Sequence, residues 1–415
     1  MRIVRKKIGP LSVLLLPILL LCATGATDAP SGGMSRAAVR RQTEALDALG
    51  ARMFRDPALS ASGKLSCASC HDPARGFGPP DASAVQMGGA DMKQPGNRAV
   101  PSLTYLAATP PFTEHFFESD DDGDESVDNG PTGGLTWDGR VDRGREQARI
   151  PLLSTYEMAN KDSAEVAARL ERADYAAVLR KILGVSLASP DQVFDAAVEA
   201  LEVYEQDYRV FYPYSSKYDA YLAGKAKLSP AEARGLALFE DPDKGNCASC
   251  HISQRANNGA PPEFTDYGLI AIGVPRNRAI PANADPTHFD LGLCGPLRTD
   301  FHDRPEYCGL FKTPSLRNVA RRQVFMHNGV FHNLKQVMEF YVERDTDPGK
   351  WYARNTDGSV DKYDDLPATY RGNVNTDPPF DRKPGEAPAL DAQEIADVIA
   401  FLGTLNDGYH TPKRP

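Results

Sequence analysis

The string Cys67-Ala68-Ser69-Cys70-His71 returns unchanged as Cys247-Ala248-Ser249-Cys250-His251, 180 residues further on. The text before each copy is repeated too. Leu49-Gly50-Ala51-Arg52-Met53-Phe54-Arg55-Asp56-Pro57 precedes the first, and Arg234-Gly235-Leu236-Ala237-Leu238-Phe239-Glu240-Asp241-Pro242 precedes the second. Both read as an amphipathic helix ending in an Asp-Pro turn. A strong helical pattern closes each copy, over residues 193–208 and 395–405. Helix, CxxCH, long loop and closing helix therefore occur twice in tandem. A boundary is expected within residues 211–228, after which Ser229 as N-cap and Pro230 in the first turn restart a helix.

In CxxCH, two thiols add across the vinyl groups of a haem and the adjacent histidine reaches its iron from one face. Seven cysteines and eight histidines scattered over 415 residues would produce the pattern about 0.002 times by chance. Zinc also takes CxxC pairs, but it wants its second pair nearer and does not explain a histidine after both. The expected fold is mainly α: two tandem cytochrome c-type haem domains, residues 27–225 and 226–415, with long loops anchored by two covalent c-type haems.

Residues 1–26 read as a secretory signal. Arg2, Arg5, Lys6 and Lys7 precede an apolar run over residues 11–21, too short to span a bilayer comfortably, and Thr24-Gly25-Ala26 offers a cleavage site. Leu21 is bulky where a lipoprotein signal places a small residue, so a lipid anchor at Cys22 is not expected. Losing this segment removes four basic residues and no acidic one, moving the formal charge from −9 to −13. Such an acidic chain disfavours nucleic acid as a partner. Export to a bacterial periplasm is expected, with no stable membrane span in the mature chain. In that oxidising space the remaining pair, Cys294 and Cys308, is expected to form a disulfide. The acidic loops 120–128 and 355–361 lack the glycine and glutamate placement of an EF-hand and read as solvated.

With its CxxCH strings, Leu135-Thr136-Trp137-Asp138-Gly139-Arg140, Glu146-Gln147-Ala148, Tyr156-Glu157-Met158, Thr313-Pro314-Ser315-Leu316-Arg317-Asn318-Val319 and Met326-His327-Asn328-Gly329, the chain resembles the bacterial dihaem cytochrome c peroxidase family, especially its MauG-like branch. The resemblance spans nearly all of the mature chain. It implies that Trp137 relays electrons between the haems, while Gln147 and Glu157 line the open face of the N-terminal haem. A buried carboxylate there moves the proton that heterolytic cleavage of a peroxide requires. His71 and His251 become iron ligands, and His327 shapes the distal pocket of the C-terminal haem. The second ligand of that haem falls fourteen residues after His327, on Tyr341. Met338, three residues earlier on the same helical face, is its rival. A phenolate favours oxidised iron where a thioether favours reduced iron. With Tyr341, hydrogen peroxide is expected to act on the diferric protein, its oxidising equivalents shared by both irons as a bis-Fe(IV)-type state.

Many family members carry a displaceable histidine or methionine after the first CxxCH. Here the candidates are Met87, Met92 and His115, and the N-terminal haem is read as constitutively open. His115, His288, His302, His332 and His410 read as surface or packing residues. The family also holds a calcium ion between its haems, which carries over to the Asn97 side chain and the carbonyls of Arg322 and Val324. Asn97 stands four residues before Pro101 rather than two, a departure from the pattern. A homodimer is the family's usual assembly. The electron donor, a small c-type cytochrome or a protein substrate, is not written in the chain. A conventional cytochrome c peroxidase, a non-catalytic dihaem electron carrier and, more distantly, a haem dioxygenase remain open as alternatives.

Overall fold

In the computed structural model, which describes residues 35–117, 127–183 and 189–410, helices and long loops dominate. Residues 1–26 with Cys22, and residues 120–126 of the first acidic loop, lie outside the described residues. Six helices occupy the first half: α1 (Arg36–Met53), α2 (Cys67–Cys70), α3 (Gly144–Leu153), α4 (Ser163–Arg172), α5 (Ala176–Leu183) and α6 (Pro190–Glu205). Four follow: α7 (Lys217–Leu222), α8 (Pro230–Glu240), α9 (Leu334–Glu343) and α10 (Ala392–Gly403). Two antiparallel pairs interrupt the loops. β1 (Met87–Gly88) pairs with β2 (Gln94–Pro95), and β3 (Leu269–Ile270) with β4 (Phe311–Lys312).

The closing helices start three residues earlier and end sooner than their apolar periodicity suggests, because polar caps decide the ends. Ser189 accepts from the Gln192 amide ahead of Pro190. Asp391 accepts from the Gln393 and Glu394 amides, and the Glu394 side chain accepts from the Asp391 amide in return. The stretch 211–228, where the boundary is expected, contains a helix, since a capping box of Ser216 and Asp219 starts α7 inside it. Tyr218 of α7 packs against Phe264 and Phe401, with ring centroids 5.4 Å away in each case.

Equivalent glycines let the opening and closing helices of each repeat touch. A Cβ on Gly50 of α1 would lie 2.0 Å from the Ala200 carbonyl oxygen of α6, and one on Gly235 of α8 would lie 2.0 Å from that of Asp397 in α10. Four residues on in each repeat, Phe54 and Phe239 are buried at the centre of separate apolar clusters. One cluster runs from Leu46 to Phe211 with Met53, Leu170 and Leu201; the other runs from Tyr218 to Leu405 with Phe264, Phe340 and Val398. Burial of each phenylalanine contributes roughly 1.5–3 kcal/mol. A smaller cluster surrounds the Cys294–Cys308 disulfide, with Leu293, Leu310 and Leu366. All described residues from Arg41 onward form one compact unit, and residues 35–40 begin α1.

Candidate functional site

Each CxxCH string is held in the same way. His71 turns Nδ1 to the Phe77 carbonyl oxygen at 3.1 Å, and His251 turns Nδ1 to that of Phe264 at 2.9 Å. Both phenylalanines adopt the left-handed conformation, with φ of 53° and 55°, which aims their carbonyls at the histidines. A Pro-Ser-Leu segment supports each turn: Ser102 Oγ donates to the Gly76 carbonyl at 2.6 Å, and Ser315 Oγ to the Glu263 carbonyl at 2.7 Å. With Nδ1 engaged, Nε2 is left to meet a metal. Burial pulls the His71 imidazole down to about 4 and lowers that of His251, so both are neutral donors at ordinary pH.

The two strings line different cavities, of about 610 Å3 (Cys247, Cys250, His251) and about 160 Å3 (Cys67, Cys70, His71). The cysteine pairs therefore do not converge on one metal. Burial pushes the Cys70 and Cys247 thiols up to about 12 and Cys250 to about 11, which suits thioether formation better than thiolate coordination. A neutral histidine beside two enclosed thiols in an apolar cavity fits a c-type haem in both places.

The remaining walls differ. In the smaller cavity stand Glu157 and Gln147. Burial raises the Glu157 carboxyl, against smaller opposing effects of the nearby Ser154 hydroxyl and then Arg140, and its Oε2 is enclosed without a hydrogen bond of normal geometry. The backbone at Glu157 is clamped by β1. A Cβ on Gly88 would lie 2.4 Å from the Tyr156 carbonyl oxygen, and the Gly89 amide donates to the Glu157 carbonyl at 2.8 Å. Of the displaceable candidates, Met87 lines this cavity but is 46% exposed; Met92 does not line it, and His115 is an exposed residue bonded to Asp128.

In the larger cavity stand Tyr341 and Met338, both on α9, together with His327. Met338 is buried in the apolar cluster, whereas Tyr341 packs on Phe380 at 5.2 Å and its hydroxyl has no hydrogen-bond partner among the described residues. Burial, then the nearby cysteines, raises the Tyr341 phenol, so its ionised form needs a cation beside it. His327 stacks on Phe311, centroids 3.5 Å apart, and its Nε2 is buried without a partner. Burial holds His327 down to about 4.

Trp137 lies in the wall that both cavities share, with Pro101, Leu103, Thr136 and Gln147. Its Nε1 donates to the Ala99 carbonyl at 2.8 Å, and its own carbonyl accepts from the Lys312 amide at 2.8 Å. Ala99 and Lys312 each stand two residues before the proline of a Pro-Ser-Leu segment, so Trp137 is tied to both repeats, by its indole to the first and by its backbone to the second. Next to it Asp138 is fully buried, accepting from Thr136 Oγ1 at 2.6 Å, Arg98 at 2.8 Å and Arg140 at 2.9 Å. Against the burial that would raise it, Arg98 and Arg140 hold that carboxyl below its ordinary range.

The calcium set does not fit a calcium ion. Asn97 lines the smaller cavity, but the Val324 carbonyl already accepts from Arg322 Nε at 3.2 Å, which sets a cationic side chain against one of the three expected oxygens. A guanidinium at the site repels a divalent cation. Glu205, which no motif in the sequence marks, also lines the smaller cavity near Cys67. Burial, reinforced by Glu202, pushes its carboxyl up to about 8. The repeated Pro-Ser-Leu was available as a signal for the histidine supports; nothing in the sequence marks Phe77 or Phe264. Among the described residues no helix is long and apolar enough to cross a membrane.

Comparisons with known proteins agree with this geometry. A family model described as di-haem cytochrome c peroxidase matches residues 44–227. The chain is 35% identical over 398 residues to the methylamine utilization protein MauG of Paracoccus denitrificans, covering 92% of this chain and 94% of that protein. It is 24% identical to cytochrome c551 peroxidase of Nitrosomonas europaea, over 77% of this chain and 82% of that one. The crystal structure of the diheme peroxidase BthA from Burkholderia thailandensis superposes with a TM-score of 0.76 at 43% identity, covering 87% of this chain and 86% of that chain.

Proposed function

The chain belongs to the di-haem cytochrome c peroxidase family and is a haem oxidoreductase of the peroxidase type; from that premise we propose that it reduces hydrogen peroxide at an open N-terminal haem and shares the oxidising equivalents with a His/Tyr-ligated C-terminal haem. Cys67, Cys70 and His71 would hold the first haem, and Cys247, Cys250, His251 and Tyr341 the second. The haems, when bound, supply one iron that meets peroxide and one that stores charge.

The observation that carries this reading is the contrast between the cavities: a buried Glu157 oxygen without a hydrogen-bond partner in one, and the Tyr341 phenol on the wall of the other. Glu157 would accept a proton from one oxygen of the peroxide and return it to the other, which leaves as water. Gln147, on the same wall, orients the peroxide. Trp137, fixed at its Nε1 and at its carbonyl, carries electrons across the shared wall. His327, neutral and stacked on Phe311, excludes water from the second cavity. The reductant is an external donor, either a small c-type cytochrome or a side chain of a partner protein.

The same reading places residues 1–26 as an export signal and the mature chain in the periplasm, with haem domains at 27–225 and 226–415 and a homodimer as the assembly. Support for the two domains comes from the repeated glycine crossings and the paired apolar clusters. Met338 also lines the larger cavity and keeps a conventional, methionine-ligated cytochrome c peroxidase as the second reading. EPR of the resting ferric holoprotein tests the proposal. One high-spin and one low-spin signal, with no visible charge-transfer band of a thioether-ligated ferric haem, is the expected result. Two low-spin signals would leave no open iron and make the chain an electron carrier.

A further inference from the structure

Arg322 is a cation that no carboxylate among the described residues answers. It enters no ion pair, and its Nε and Nη2 donate only to the carbonyls of Val324 at 3.2 Å and Val100 at 3.0 Å. Its Nη1 has no hydrogen-bond partner among the described residues, and the guanidinium lines the larger cavity. On the other side, the Val100 whose carbonyl it holds is part of the smaller cavity's wall. Val100, which it holds, immediately precedes Pro101 of the shared wall. The group therefore sits where both cavities feel its charge. Burial pulls it down to about 10, which still leaves it protonated at neutral pH. Arg322 is half-buried on the cavity wall, and an unanswered charge there becomes costly once the cavity is filled, so a fixed cation in this position implies that the filling group supplies an anion. Haem carries two carboxylates of its own.

We propose that the Arg322 guanidinium takes the place of the calcium ion expected between the haems, so that this chain carries its own fixed positive charge there and needs no calcium. The inference rests on the two-haem reading above. It differs from a calcium site in two checkable respects. The charge is covalently part of the chain and no chelator removes it. It is also monovalent and directional, holding the Val100 and Val324 segments together through hydrogen bonds that a metal would make through oxygen ligands.

The test uses the full-length holoprotein with its haem content measured first; fewer than two haems per chain would defeat the two-haem reading and is a separate outcome. Calcium is then measured by mass spectrometry, before and after incubation with excess calcium chloride and desalting. The expected result is calcium far below one ion per chain in both samples. EGTA should leave the visible spectrum, both haem midpoint potentials and Tm unchanged. Removing the charge in Arg322→Met should lower both midpoint potentials, while Arg322→Lys should keep them near wild type. One calcium per chain, removed by EGTA with a change in spectrum or Tm, would overturn the proposal. So would Arg322→Met with both potentials unmoved. If Arg322→Met fails to assemble, the wild-type calcium content and the EGTA response still decide.

Discussion

Around His71 and around His251 the chain does the same work with the same parts. A left-handed phenylalanine presents its carbonyl to Nδ1, a Pro-Ser-Leu serine braces that turn, and a glycine crossing of two helices packs behind it. Opposite the histidines the likeness stops. One cavity presents a carboxyl with an unpartnered oxygen and an amide; the other presents a phenol, a thioether and a stacked imidazole. The repeated half is scaffolding that fixes a neutral imidazole, and the unrepeated half assigns the chemistry. A site that must bind and cleave peroxide needs an empty position and a proton carrier. A site that must hold charge needs the position filled by a ligand that favours oxidised iron.

Breaking the contrast on the open side has the largest expected effect. Glu157→Gln keeps the shape and removes the proton carrier, so the bimolecular rate with hydrogen peroxide should fall by about 10²–10⁴-fold. Stopped-flow absorbance reads this, and an unchanged resting spectrum shows that the haem environment survives. An undiminished rate would remove Glu157 from the mechanism.

On the filled side, Tyr341→Met should replace a ligand that favours oxidised iron with one that favours reduced iron. A thioether in place of the phenolate raises the potential of the C-terminal haem. A redox titration should show that couple moving upward while the N-terminal couple stays. If Met338 is the ligand, Tyr341→Met leaves both couples in place.

Glu205 sharpens the comparison, since α10 carries no buried carboxyl in the corresponding cavity wall among the described residues. Its carboxyl, raised by burial and by Glu202 from the ordinary 4.5 to about 8, holds a proton in the folded protein where the unfolded chain has released it. The folded state therefore binds more protons between those values, and stability falls as pH rises. Its contribution is fully present below about 4.5 and lost as pH passes about 8. Glu205→Gln should flatten that decline, seen as a smaller loss of Tm between acid and mildly alkaline buffer.

The smallest effects test the shared scaffold. Ser102→Ala and Ser315→Ala each remove one hydrogen bond to the turn before the supporting phenylalanine, and each should cost about 1 kcal/mol in urea unfolding. Unequal costs would show that the two histidine supports are alike in geometry but not in energy.

Much of this was legible in the chain. The CxxCH pair, the glycine-bearing helices before them and the capped helices after them are local patterns, and local patterns survive folding. Trp137, Gln147, Glu157, Tyr341 and His327 were legible only through a resemblance, since a glutamate on a polar stretch looks solvated until the cavity around it is known. The phenylalanines at positive φ were not legible, because no side-chain chemistry marks Phe77 or Phe264 for that conformation. The side-chain role of Arg322 is hidden for a related reason: the resemblance points only to its backbone carbonyl, and nothing in the sequence shows its side chain folding back onto the Val324 carbonyl. The 211–228 stretch hid a helix because Ser216 and Asp219 cap one turn too short for periodicity to show.

The central claim, one open site coupled to one phenolate-filled site, is tested most directly by adding stoichiometric hydrogen peroxide to the fully ferric holoprotein without reductant. Simultaneous loss of both ferric EPR signals, with a near-infrared band belonging to the coupled pair, is the predicted result. A protein that stays inert until one electron has been added would have a reservoir haem in place of a phenolate-ligated one, and would contradict the account.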